Sequence, residues 1–389
     1  MEKLRGDFPI LKTGVIYLDS ASSSLTPNQV LDKMVEFYHQ YRANVGRGVH
    51  SLTRRATEEY EASRERVARF IGGEVEGVIF VKNATEAINM VARGMKWERG
   101  EKIVTTLLEH HSNLLPWLRL RELGVRVEVL RPEGRGVIRL EQFERAVDAK
   151  TRLVAVTQAS NVLGTILPVE EICELAHERG ALVLVDGAQS VPHLPVNVRK
   201  MGCDFLAFSG HKMLGPTGIG VLYASREFEP LCLGGGTVED AATNSYELVS
   251  APARFEAGTP PIAEAVGLGA AVDYLSKIGM EEIREHESGL LRQMLEGLSG
   301  LEGVRVYGPG LEERVGILPF NVQGKNPDEV ASLLDSLGIE VRSGHHCAIP
   351  LHREFLGVDA TVRASLYLYN TKEEVRTFVD AVAEIKSRL

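Results

Sequence analysis

The sequence is 389 residues long, 44% hydrophobic and 25% charged, an ordinary composition for a globular chain with room for two domains, and its formal charge of −9 disfavours a nucleic-acid partner. It holds no run of about 18 apolar residues that would offer a membrane span, and the opening MEKLRGDFPILKTG lacks the apolar stretch of a signal peptide. Four scattered cysteines, Cys173, Cys203, Cys232 and Cys347, form no C-x-x-C pair, which argues against a disulfide framework or a four-thiolate zinc site and fits a reducing cytoplasm.

In chain order, the first buried strand is GVIFV, Gly77 to Val81. It runs into KNATEAIN, where Asn83 and Glu86 have the spacing of a capping box that opens a helix. That helix start is either simply well capped or a phosphate site, with the Thr85 hydroxyl as an extra donor. KIVTT (Lys102 to Thr106) and VRVEVL (Val125 to Leu130) read as further strands. LVAVTQ (Leu153 to Gln158), a helix over Val169 to Gly180, ALVLVD (Ala181 to Asp186) and CDFLAFS (Cys203 to Ser209) then alternate as βαβ units, which implies a largely parallel sheet. From Pro261 the pattern changes. A long helical stretch to Ser299 precedes VRVYG, GILPFNV and GIEVRSG, with two helical segments interleaved and the second closing the chain. This predicts a smaller α+β domain, with the boundary near Lys277.

Ligands of open parallel sheets bind beyond the carboxyl ends of the strands. The residues there are Asn83, Thr85 and Glu86; His110 and His111; Asn161; Asp186 and Gln189; and Ser209, His211 and Lys212. Each has a bland reading. A lysine is most often solvated, Asp186 could cap a helix, and Gly234-Gly235-Gly236 has neither Walker nor dinucleotide spacing. Together, a lysine amine, a carboxylate on a neighbouring strand, an imidazole and a helix N-terminus suit pyridoxal phosphate. The stretch VRSGHHCAIP leaves three readings for Cys347: a packing residue, a metal ligand with His345, His346 and His352, or a nucleophile. The lysine constellation favours the nucleophile.

The motifs YLDSAS, RGVHSLT, NATEAIN, EHHSNLLPW, SNVLGT, VDGAQSVPH, FSGHKMLGPTGIGVLY, RFEAGTP, RSGHHCAIP and RASLYLYNT run nearly end to end. On them the chain resembles the class V aminotransferase group of fold-type I pyridoxal phosphate enzymes, and more narrowly a group II cysteine desulfurase, with selenocysteine lyase as a close relative. The resemblance implies an α/β fold. It would have a large domain (15–277) with a mostly parallel seven-stranded sheet, a smaller α+β C-terminal domain (278–389) carrying the cysteine loop, and an N-terminal segment (1–14) packed on the small domain.

The resemblance further implies that Lys212 is the Schiff-base lysine and that Asp186 faces the ring nitrogen. Gln189 would bond the phenolic oxygen, and His110, in preference to His111, would stack on the ring. Thr85, Ser209 and His211 would hold the phosphate, with Thr259 arriving from a second subunit of a homodimer. Asn161, Arg342 and Arg363 would bind the substrate, and Cys347 would carry the sulfur taken from L-cysteine. His345, His346 and Arg342 would be near enough to lower the thiol pKa. A sulfur-acceptor or iron–sulfur scaffold protein would be the partner. Ala84 and Thr237 to Asp240 depart from the usual pattern. The alternatives are selenocysteine lyase, another enzyme of the group, or a zinc-binding scaffold on a degenerate enzyme fold.

Overall fold

The structure, a computed structural model, describes residues 1–387. Seven strands form one sheet in the spatial order Val78–Val81, Gly220–Ala224, Phe205–Ser209, Leu182–Asp186, Thr151–Thr157, Lys102–Thr106, Arg126–Leu130. The last five pair in parallel; Gly220–Ala224 runs antiparallel to both of its neighbours. Three of the strands, Val78–Val81, Lys102–Thr106 and Phe205–Ser209, are buried at every residue, as expected for a sheet covered by helices on both faces. Thr151–Thr157 is buried but for one exposed arginine.

The α/β class, the sheet size and its mostly parallel order are as the resemblance implied. Gly220–Ala224 was visible only inside a quoted motif, because its four apolar residues follow two glycines and a proline. Its first residue has a positional reason. A Cβ on Gly220 would lie 2.7 Å from Asn83 Cα, so glycine lets the Asn83 turn settle against the sheet beside Phe205–Ser209.

The helical stretch from Pro261 is two helices, Ile262–Ile278 and Met280–Ser299. Gly279, at φ 94°, turns the chain between them, and no helix bridges the whole stretch. Beyond it, a four-stranded antiparallel sheet has the order Val304–Val306, Ile317–Val322, Thr361–Ser365, Arg342–Gly344. The helix Lys372–Ser387 packs against Met280–Ser299 behind that sheet, around Leu290, Met294, Phe320, Phe378 and Val382. Arg5 ion-pairs with Glu374 at 2.7 Å, whereas the Tyr274 hydroxyl donates to Asp7 at 2.8 Å, so the N-terminal turns touch both the helix Lys372–Ser387 and the helix Ile262–Ile278. Among the described residues no helix is long and apolar enough to cross a membrane.

Candidate active site

The carboxyl ends of the parallel strands open on a cavity of about 270 Å³. Lys212, Asp186, Gln189, His110, Thr85, Ser209, His211, Asn161, Arg342, Arg363 and Cys347 all line it. Of the residues expected at the site, Glu86, His111 and Thr259 do not line it. Thr259 sits by Gly235, Arg47 and Glu256 on another face of the chain.

Lys212 closes a single helical turn, Gly210–Lys212, directly after the strand Phe205–Ser209. The turn is braced from the N-terminal segment: the carbonyl of His211 accepts from the backbone N–H of Ser24 at 2.8 Å, and the Ser24 hydroxyl accepts from Leu214 N at 2.8 Å. Burial lowers the Lys212 amine to about 8, against the opposing pull of Asp186. Asp186 ends the neighbouring strand. Burial pushes its carboxyl up, while the N–H of Ala188, 3.0 Å from Oδ1, and Lys212 pull it down. That N–H bond closes a turn, and no helix follows it, so the capping reading of Asp186 is set aside.

The helix Ala84–Gly94 begins at the cavity. Asn83 caps it by accepting from Glu86 N at 3.0 Å, but the Glu86 carboxylate returns to Lys82 N and not to Asn83 N, so the expected reciprocal box is displaced by one residue. Ala84 N donates to Ser209 Oγ at 2.9 Å, which ties the helix start to the lysine turn. Thr85 Oγ1 and Ser112 Oγ are 2.7 Å apart, and Ser112 N donates to His110 Nδ1 at 3.1 Å. Nδ1 is therefore an acceptor and Nε2 carries the proton. Burial and the nearby Lys212 lower His110 to about 3, so the ring is neutral. His211, lowered to about 4 by burial and Lys212, is neutral too. Ser112 was missed from the sequence, where a serine between two histidines and an asparagine carries no signal.

Cys347 sits in a turn that few residues tolerate. His346 and Cys347 have φ of 49° and 55°, consecutive left-handed residues with side chains. Hydrogen bonds hold them there. Asn161 Nδ2 donates to His346 O at 2.7 Å, His111 N donates to Cys347 O at 2.7 Å, and Ile349 N donates to His111 Nε2 at 3.1 Å. His111 thus anchors the loop and does not line the cavity.

Behind the turn, His352 Nδ1 donates to Ala348 O at 3.0 Å, so its Nε2 accepts from the Thr361 hydroxyl at 3.2 Å. Thr361 Oγ1 in turn accepts from His346 Nε2 at 3.0 Å. Burial, with the Arg363 charge, lowers His346 to about 2. It is a neutral clamp, and the expectation that it lowers the thiol pKa as a cation is corrected. Both rings turn inward to Thr361 while Cys347 is exposed, and no cluster of three or more metal-ligating side chains occurs among the described residues. Replacing Thr361 by valine leaves two buried ring nitrogens unpaired. It is expected to lower stability by about 1–3 kcal/mol, read as a fall in the denaturant midpoint at unchanged slope.

The remaining cysteines contrast with Cys347. Cys173 and Cys203 are buried, and burial pushes the Cys203 thiol up to about 12. Cys232 is exposed but lies outside the cavity.

The chemistry of the cavity is now constrained. It holds an amine poised near neutrality, a buried carboxylate on the adjacent strand, a neutral imidazole, a helix start and two arginines. A lysine and carboxylate at the strand ends of a seven-stranded α/β sheet, with a small antiparallel sheet closing the cavity, define an enzyme of pyridoxal phosphate fold type I. The chain belongs to the aminotransferase class-V family, whose model matches residues 16–378. It is 47% identical to a probable cysteine desulfurase of Methanothermobacter thermautotrophicus over 99% of this chain and 98% of that protein. Among solved structures it is similar to the apo cysteine desulfurase of Thermococcus onnurineus NA1, with a TM-score of 0.97 and 47% identity, covering 100% of this chain and 98% of that one. The Escherichia coli cysteine desulfurase CsdA in an S-sulfonic acid form gives a TM-score of 0.93 at 34% identity, covering 100% and 98%.

Enzymes of this family depend on pyridoxal phosphate, and the cavity fits that group. Gln189 Nε2 donates to Ala21 O at 2.7 Å, which fixes the amide orientation and leaves a second amide hydrogen for an acceptor. Gln189 Oε1, Asn161 Oδ1 and Arg363 Nε are buried without partners. Unpaired buried polar atoms gathered on one cavity mark a place built for a polar ligand.

Proposed function

We propose that this chain takes the sulfur from L-cysteine, releases L-alanine and keeps the sulfur as a persulfide on Cys347. The observation that carries the reading is the exposed Cys347 held in a strained turn on the same cavity as Lys212. Its relatives along nearly the whole chain are cysteine desulfurases.

Bound pyridoxal phosphate supplies an aldehyde for the substrate amine and a sink for the electron pair left at Cα. Lys212 would hold the cofactor and then, freed by the substrate amine, take the Cα proton. Asp186 would keep the ring nitrogen protonated. Gln189 would donate to the phenolic oxygen, and the neutral His110 would lie on the ring face. The Ala84–Gly94 helix start, Thr85, Ser209 and His211 would hold the phosphate. Arg363, with Arg342 and Asn161, would bind the substrate carboxylate.

The Cys347 thiolate would attack the substrate sulfur. The new S–S bond forms as the carbon–sulfur bond breaks, its electron pair stays with the three-carbon fragment, and a proton taken up at the former sulfur-bearing carbon and another returned to Cα complete alanine. Cysteine and one thiol thus yield alanine and one persulfide. Protein loaded with cofactor and given L-cysteine should release alanine and gain one sulfur atom on the peptide carrying Cys347. Sulfur found on another cysteine, or no alanine, sinks the reading.

The depressed Lys212 amine has a pH consequence. At pH 7 about a tenth of an amine with a pKa near 8 is neutral, against about one in three thousand for an ordinary lysine. Covalent capture of pyridoxal phosphate by the cofactor-free chain should speed up about tenfold per pH unit below 8 and level off above it. Borohydride trapping followed by peptide mass reads the rate. A rate still climbing at pH 10 contradicts the assignment.

Thr259, remote from its own chain's cavity, fits a homodimer in which it reaches the partner's phosphate. Its segment is fixed by Glu256, which accepts from Arg64 at 2.7 Å, Tyr60 at 2.8 Å and Phe80 N at 2.7 Å. Sedimentation at assay concentration checks the dimer. A cytoplasmic setting suits a working thiol, and a sulfur-acceptor or iron–sulfur scaffold protein would take the persulfide sulfur from the exposed loop.

A further inference from the structure

Asp19 was not among the residues expected at the site, yet it touches both of the arginines that are. The small sheet pairs Arg342 directly opposite Arg363 on neighbouring antiparallel strands. Like charges so placed repel, and Arg363 is only 2% exposed, so the pair needs an anion.

Asp19 is that anion. Arg363 Nη2 donates to Asp19 Oδ1 at 3.1 Å and to Ser22 Oγ at 2.7 Å, and Ser22 donates on to Asp19 Oδ1 at 2.6 Å. Arg342 Nη1 lies 3.6 Å from Asp19 Oδ2. The main chain fixes the carboxylate: Asp19 bridges Ser365 in parallel, and its carbonyl accepts from Ser22 N at 3.0 Å. Two cations therefore share one resident anion, and Arg363 Nε is still unpartnered. The carboxylate of a bound amino acid would bring the count to two and two.

We infer that Asp19 is a positioning residue for the carboxylate clamp: it aims Arg363 and Arg342 at the cavity and, by sharing their charge, weakens their hold on the carboxylate so that the amino-acid product leaves. The inference rests on the reading of Arg363 as the carboxylate-binding group. Substrate and product carry the same carboxylate, so tighter binding of it gives the reaction no transition-state advantage and slows release. A clamp with both cations unneutralised would favour the product complex.

Asp19→Asn tests this, because it keeps the shape and the carbonyl acceptor toward Arg363 and Ser22, while the charge is lost and a neutral amide nitrogen takes the place of the oxygen facing Arg342. The probes are L-alanine and ethylamine, the same amine without the carboxylate, titrated against holoenzyme and read from cofactor absorbance. Alanine should bind on the order of tenfold more tightly to the variant, ethylamine should be unchanged, and Asp19→Glu should return alanine toward the wild-type affinity. Unchanged or weaker alanine binding, or an equal shift for ethylamine, overturns the inference. Asp19→Ser removes the same charge if the asparagine variant does not accumulate folded. Arg363→Ala separates the two readings. If alanine keeps its advantage over ethylamine there, the Arg363 assignment fails. If the advantage vanishes while Asp19→Asn behaves as wild type, only the role of Asp19 fails.

Discussion

Turnover of L-cysteine should fall by on the order of 100-fold or more in Asp186→Ala, with the cofactor still bound. Asp186 is buried at the end of its strand, and its charge faces Lys212 across the cavity. Removing it takes away the only buried carboxylate that lines the cavity among the described residues. The ring nitrogen would then lose its proton, and with it most of the capacity to hold the electron pair left at Cα. A charge-stabilising group of this kind contributes several kcal/mol to the barrier, which sets the size of the expected loss. Cofactor retention should survive, because Lys212, the helix start at Ala84 and the Gln189 amide do not depend on that carboxylate for their geometry. Near-normal alanine formation in the variant rejects the role of Asp186, and colourless protein would show that its contribution is to cofactor binding.

The sheet and most of the site were legible because strand ends in a parallel sheet are where local sequence and tertiary position coincide. Reading the residues just after each apolar run was enough to bring Thr85, His110, Asn161, Asp186, Gln189, Ser209, His211 and Lys212 to one rim, and the structure places all of them on one cavity. What was not legible depends on contacts distant in sequence. Asp19 and Arg363 are 344 residues apart, and nothing local marks their pairing. Ser112 matters only because the turn before it carries its N–H to His110, and Thr361 only because two histidines converge on it. The long helix was misread because Gly279 sits in an otherwise unbroken helical pattern, where a glycine is tolerated as often as it ends the helix. Its positive φ decides the matter, and that is a property of the fold.

Cys347→Ser should reduce sulfide and alanine production from L-cysteine to near background while leaving the holoenzyme yellow. The substitution adds no bulk, and the turn it occupies is held by bonds to its neighbours: Asn161 to the His346 carbonyl and His111 to the carbonyl of residue 347 itself. The cavity residues that would bind cofactor and substrate are untouched, so L-cysteine should still bind and perturb the cofactor absorbance. What is lost is the sulfur nucleophile. A serine hydroxyl is un-ionised at neutral pH and cannot take the sulfur to form a persulfide. Cys173 and Cys203 cannot substitute, since both are buried, and burial holds the Cys203 thiol protonated. Cys232 is exposed but outside the cavity, and it should remain without added sulfur in the wild-type protein. L-selenocysteine separates the two halves of the chemistry. A selenolate leaves more readily than a thiolate, so the variant should retain more selenide release than sulfide release. Sulfide formed from L-cysteine by Cys347→Ser at the wild-type rate would remove Cys347 from the mechanism and leave the strained turn at His346 and Cys347 without a chemical purpose.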